Sequence, residues 1–338
     1  MKCELCRKGY DPFIDFLKGI CIILVILTHC IPSDLRSVIG FPIWGSPAVP
    51  IFLIIQVFHF YKKGIDSAKL DCSKVWKRVL RPFILVEFAI IVVWLYNYST
   101  DIYYTVSFFK NIIYMMSGGP GTYYPWIYLQ FAVLLPLCRS LFKYGNTYTL
   151  IVFLVLSQIA EIICAITAMP EWIYRLTFFR YIFLFYLGNL LARKGYILNR
   201  TTMLLSIISV TSVFFFAYFS FDSSPIFYNV EAWASCHWIC YIYISFFMIV
   251  GLKYIYMFTR KSKFSTIVRL LGKYSYEIFL FQLFYFTCIL DFINNNCFME
   301  NMPSISIVTS VLFCTVPVLV YKERKCINDY LQHRILKR

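Results

Sequence analysis

Asp15, Lys18 and His29 interrupt an otherwise apolar run from Phe13 to Ile31. A run of that length and composition predicts a membrane-spanning helix. A Lys or Asp at membrane depth costs roughly 2.5–3.5 kcal/mol on insertion scales, so such residues point first to function. At about 100° per residue, positions 15, 18, 22, 25 and 29 share one helix face. Lys18 and His29 are then about 16 Å apart along the axis. A neutral imidazole at one end can act as general base toward a hydroxyl. Asp15 and Lys18, three residues apart, offset each other's burial at the other end. The competing reading is that the pair only fixes the orientation of the helix.

A second constellation is Lys74-Val-Trp-Lys77-Arg78-Val-Leu-Arg81-Pro82, at the start of a later apolar run. Arg78 and Arg81, three apart, would share a helix face and suit bidentate contact with phosphates. Ordinary anchoring by positive charge at a membrane surface is the alternative. His59 and His237 read as packing residues. Glu87, Glu161, Arg180 and Glu277 are further ionisable groups in or beside apolar runs, and Arg180 is the preferred auxiliary. Cys3-Glu-Leu-Cys6 is an isolated CxxC without a second pair, and no metal site is expected.

These residues need a membrane scaffold, and the composition supplies one. Of 338 residues, 60% are hydrophobic and 14% charged, with mean hydropathy +0.69. Soluble domains carry about 25% charged residues, so an all-α integral membrane protein is expected. Spans are expected at about 13–31, 45–61, 82–98, 122–138, 149–168, 177–192, 203–220, 236–257, 274–291 and 304–321. Ten spans place both termini on one side. That side then carries 27 of the 32 Lys and Arg residues, within 1–8, 62–81, 139–148, 193–202, 253–273 and 322–338. The other side has only Arg36, Lys110 and Arg175, with Lys18 and Arg180 inside spans. The basic side is therefore expected in the cytoplasm. The same asymmetry accounts for the net charge of +15 without a nucleic-acid partner. The 13 cysteines lie mostly in apolar runs, as small hydrophobes. No cleaved signal peptide, internal repeat or soluble domain is expected, and residues 1–338 read as a single membrane domain.

Taken in order, these motifs resemble the integral membrane acyltransferase family 3, bacterial O-acyltransferases of surface glycans, over essentially the whole chain. Lys18 and His29 match the family's (Arg/Lys)-x10-His pattern in the first span. Arg78 and Arg81 match its Arg-x-x-Arg leading into the third. Gly118-Gly-Pro-Gly-Thr-Tyr-Tyr-Pro-Trp-Ile-Tyr-Leu-Gln130 is similar to the loop before its fourth span. Arg180-Tyr-Ile-Phe-Leu-Phe-Tyr-Leu-Gly188 and Leu271-Gly-Lys-Tyr-Ser-Tyr-Glu-Ile-Phe-Leu-Phe-Gln282 are similar to later blocks. Many members have His where this chain has Gln282, so no acid–base role is assigned there.

The resemblance implies an acyl-CoA donor, most often acetyl-CoA, as substrate and no permanently bound cofactor. It implies a glycan or lipid-linked saccharide acceptor and a multi-pass location in a bacterial inner membrane. Arg78 and Arg81 would hold the CoA phosphates on the cytoplasmic side, and the pantetheine arm would carry the thioester toward His29. His29 would act as base or as an acyl relay, with Lys18 and Asp15 polarising or positioning the donor. The competing class is a transporter or flippase for a glycan or its precursor. Gln56, Gln130, Gln158, Asn189 and Gln282 would suit such a pathway. Paired Gly/Pro-broken helices in matching halves, frequent in transporters, are not evident.

Overall fold

The computed structural model describes residues 11–62, 71–100, 121–195, 197–219, 226–228, 236–289 and 303–335, and these contain helices and no strands. Cys3 and Cys6, Lys110, Gly118–Pro120 and part of the 62–81 loop lie outside the described residues. The ten segments expected to span are helical over most of their described length. Among the described residues, six stretches are long and apolar enough to cross a membrane: Pro12–Cys30, Phe41–Tyr61, Asn146–Ile166, Arg200–Tyr218, Trp238–Thr259 and Ile305–Arg324. Large apolar side chains stand exposed, as lipid-facing surfaces require: Phe258 and Ile166 on two of these stretches, and Leu137 and Phe88 on two further helices.

The chain divides into two compact units, one of Met1–Ile31 with Lys253–Arg338 and one of Pro32–Leu252. The first unit is built on helix α1, Pro12–Cys30. Asp11 caps its start by accepting from the Phe13 N–H at 3.0 Å, and Pro12 sits where no N–H is needed. It ends at extended Ile31, a conformation that the following Pro32 imposes.

In the second unit, α2 (Ala48–Tyr61), α3 (Arg81–Thr100), α4 (Tyr123–Leu137), α5 (Asn146–Ile166), α6 (Ile182–Lys194) and α7 (Arg200–Tyr218) follow in order. Helix α8 (Ile249–Thr259) contains the boundary between the units. A file of rings forms part of the core of this unit. Phe131 stacks on Phe185 at 4.2 Å, Phe185 on Phe153 at 6.2 Å, and Phe153 on Phe142 at 5.1 Å. The edge of Tyr61 meets Phe142, and its hydroxyl donates to the Leu135 carbonyl. Aromatic pairs like these add about 0.5–1.5 kcal/mol each beyond area burial.

The first unit is completed by α9 (Lys263–Lys273), α10 (Ser275–Phe284) and α11 (Pro303–Ile335). Ser262 caps α9 by accepting from the Ser265 N–H at 3.2 Å. Helix α9 lies along α1, and α10 and α11 also pack on α1. Two glycines permit the α1–α9 crossing. A Cβ on Gly19 would fall on the Val268 carbonyl, and one on Gly272 on the Asp15 carbonyl. Around the crossing, Phe13 and Phe16 pack on Tyr256 at 5.9 and 5.2 Å.

Candidate active site

The charged stripe of α1 takes shape at this crossing. Lys18 Nζ and Asp15 Oδ1 are 2.7 Å apart, with the two side chains 24% and 11% exposed. The Asp15 backbone is pinned by Gly272, so packing rather than the ion pair alone fixes where these charges stand. Eleven residues on, about 16 Å along the axis, His29 is half-buried, with its ring 5.5 Å from that of Phe286. Phe286 belongs to a π-helical turn, Tyr285–Ile289, that continues α10. Such turns occur frequently at functional sites. The Tyr285 and Ser310 hydroxyls lie 3.3 Å apart beside it. Glu277, at the start of α10, accepts from Lys322 at 2.6 Å, and Lys322 lies over the Tyr274 ring.

Gln282 lies one turn before Phe286. It is fully buried, and among the described residues neither its Nε2 nor its Oε1 has a hydrogen-bond partner. Asn189 Oδ1 and Gln56 Oε1 are also buried without a partner among the described residues, but three glutamines make hydrogen bonds through their amides. Gln56 donates to the Tyr128 carbonyl at 2.9 Å, and Gln158 to the Ile226 carbonyl at 2.7 Å. Gln130 donates to the Leu176 carbonyl at 2.5 Å and accepts from the Phe178 N–H at 2.9 Å. These three are braces between segments, a use that needs no transported solute.

In the second unit, Asp71 caps a helical stretch, Cys72–Val75, accepting from the Lys74 N–H at 3.0 Å. It also pairs with the Lys74 ammonium at 2.5 Å. Hydrogen bonds from Lys74 hold the Asp71 carboxyl below its usual range. The chain continues through a π turn, Trp76–Leu80, into α3. Arg78 falls inside this turn, and its side chain lies outside the described residues; Arg81 is exposed, as are Lys74 and Lys77. A π turn advances the chain by less than 100° per residue. Arg78 and Arg81 therefore diverge around the axis more than the i,i+3 rule for an α-helix implies.

Arg180 is buried among tyrosines. Its guanidinium carbon lies 5.0 Å from the Tyr123 ring, 5.4 Å from Tyr174 and 4.6 Å from Tyr181, and Nη2 donates to the Arg175 carbonyl at 3.4 Å. Stacked aromatic faces stabilise a desolvated cation by about 2 kcal/mol or more. Burial, with the Glu161 charge next in weight, pushes the Tyr174 phenol well above its usual range.

A family model described as an acyltransferase domain matches residues 11–322. The chain belongs to acyltransferase family 3. No curated protein and no solved structure matches it. The matched stretch contains Asp15, Lys18, His29, Arg78, Arg81 and Arg180 of this membrane acyltransferase. Asp15, Lys18 and His29 lie together on one helix of the first unit, whereas Arg78, Arg81 and Arg180 belong to the second.

Two features of the acyltransferase escape sequence reasoning. His237, expected as a packing residue, is fully buried with Nδ1 3.0 Å from Glu161 Oε1, while Glu161 Oε2 accepts from the Tyr228 N–H at 3.2 Å. The two residues are 76 positions apart, Glu161 inside the fifth expected span and His237 at the start of the eighth, and no local pattern joins them. Gln282 is the other, because an orphaned amide shows only once the helices around it are packed.

Proposed function

We propose that this acyltransferase moves an acyl group, most simply acetyl, from cytoplasmic acyl-CoA to a hydroxyl of an exported or lipid-linked glycan at a bacterial inner membrane. One observation carries the reading. A half-buried imidazole and a paired ammonium stand about 16 Å apart on one packed helix of an acyltransferase. In it, His29 takes the proton of the acceptor hydroxyl, or carries the acyl group itself, while Lys18 and Asp15 position the donor. Arg78 and Arg81 contact the CoA phosphates, for which the exposure of Arg81 and the neighbouring Lys74 and Lys77 is support. The uneven distribution of Lys and Arg supports ten spans with both termini in the cytoplasm.

The test is label transfer. Purified protein receives acetyl-CoA labelled in the acetyl group together with candidate bacterial glycans, and the glycan is recovered. Label on the glycan with wild type and none with His29→Ala is the expected result. Equal transfer by both proteins would remove His29 from the chemistry. Movement of unmodified glycan across a vesicle membrane, without acylation, would favour the transport reading.

A further inference from the structure

We propose that Gln282 is a catalytic residue of the first unit, donating from its side-chain amide to the thioester carbonyl oxygen during acyl transfer. The proposal rests on the acyl-transfer reading above. Its starting point is the cost of the side chain as it stands. A buried amide without hydrogen bonds costs roughly 1–3 kcal/mol on protein scales, and here both Nε2 and Oε1 are buried without partners among the described residues. A leucine of similar volume would avoid that cost, so packing alone does not account for a glutamine here.

Its position suits the role. Helix α10 packs on α1 and on α11. Four residues above Gln282, a rise of about 6 Å, Phe286 places its ring 5.5 Å from that of His29. Gln282 therefore lies between the level of His29 and that of the Asp15–Lys18 pair, a level that an acyl group reaching His29 from the cytoplasmic side, as proposed above, would cross. The π turn beginning at Tyr285 follows directly. Water is scarce at that depth, and a fixed N–H dipole is worth more there than in solution.

The step balances without a further reactant. The His29 imidazole takes the proton of the acceptor hydroxyl, and the freed oxygen bonds to the thioester carbon. The carbonyl electron pair moves onto oxygen, where the Gln282 Nε2–H stabilises the developing charge. Collapse restores the carbonyl and breaks the carbon–sulfur bond. The CoA thiolate leaves and takes its proton from the imidazolium. The products are the acyl ester and CoA thiol.

The experiment compares the full-length wild type with Gln282→Leu and Gln282→His in detergent or nanodiscs. Three readouts are used: thermal unfolding, kcat with KM for acetyl-CoA, and the infrared carbonyl stretch of bound acetyl-CoA carrying carbon-13 at the thioester carbonyl. Gln282→Leu is expected to melt at or above the wild-type temperature, because it breaks no internal hydrogen bond. Its kcat should fall roughly 10²–10³-fold, the range for losing one oxyanion donor, with KM little changed. The carbonyl stretch, lowered in the wild type, should return toward its free position. Gln282→His keeps an N–H and should recover part of both the rate and the shift. Undiminished turnover by Gln282→Leu, or activity lost in step with unfolding, overturns the proposal while leaving the acyl-transfer reading intact. A wild type that binds no acetyl-CoA overturns both.

Discussion

Adding one methyl group at Gly272 probes the scaffold beneath the candidate site. A Cβ at this position falls on the Asp15 carbonyl, with the Gly19 N–H next nearest. Both are main-chain atoms of α1, so no side-chain rotation relieves the clash. Ordinary contact between non-bonded heavy atoms is about 3.5–4.0 Å, and restoring it in full separates α1 and α9 by about 2 Å. Overpacking of this kind costs about 1–3 kcal/mol, against a gain of roughly 0.5–1 kcal/mol from replacing a helical glycine by alanine. Gly272→Ala should therefore melt earlier than wild type. Acyl transfer should fall at least on the order of 10²-fold, since a misplacement of only about 1 Å has that effect on a positioned reaction. Gly251 in α8 supplies the control. A Cβ there meets nothing within 4 Å, so Gly251→Ala should melt at or slightly above wild type and stay active. Thermal unfolding in detergent and label transfer from acetyl-CoA give the two readings. A Gly272→Ala protein with wild-type melting and full activity would refute the close crossing of α1 and α9.

Four further predictions follow from the geometry. His29→Ala should lower acyl transfer by about 10²–10⁴-fold at unchanged expression, the range for a general base; label transfer decides it, and activity within a few-fold of wild type would return His29 to a packing role. Arg78→Ala and Arg81→Ala should each raise KM for acyl-CoA roughly 10–100-fold, the equivalent of losing a charged hydrogen bond of about 1.5–3 kcal/mol. Lysine at either position should rescue only in part, because it loses the planar fork, and steady-state kinetics with each substrate varied in turn separates donor from acceptor effects. Glu161→Leu should leave His237 Nδ1 and the Tyr228 N–H without their acceptor and destabilise by about 1–3 kcal/mol for each orphaned group, read as a lower melting temperature. The exposed native Cys72 should resist a membrane-impermeant thiol reagent in intact cells and react once they are permeabilised, and labelling from outside would reverse the proposed orientation.

The legible part of the candidate site is the part confined to one helix. Asp15, Lys18 and His29 obey a spacing rule that needs only a helical period, and α1 carries them on a single packed helix with Lys18 and Asp15 paired. The apolar runs were likewise visible, because a span is a local property of composition. What was hidden depends on tertiary packing. The i,i+3 rule placed Arg78 and Arg81 together, yet a π turn intervenes, and no local residue pattern announces a π turn. Gly19 and Gly272 look like ordinary glycines until two helices cross on them. The bond between Glu161 and His237 joins residues with no common period, and the isolation of Gln282 is a property of its neighbours rather than of its own position in the chain.

The split of the first unit between the two ends of the chain has a consequence for synthesis. Residues 32–252 separate α1 from the segments it packs on. At about 5–20 residues per second, the ribosome needs roughly 10–45 s to cross that interval. During this time α1 is in the nascent protein without α9, α10 or α11, and the glycine crossing has only one of its helices. The contacts that α9, α10 and α11 make with α1 within this unit form only after that interval has been crossed. A chain stalled or clipped anywhere in the middle should therefore be inert toward thioesters, and the capacity for acyl transfer should arrive all at once, with the last helices.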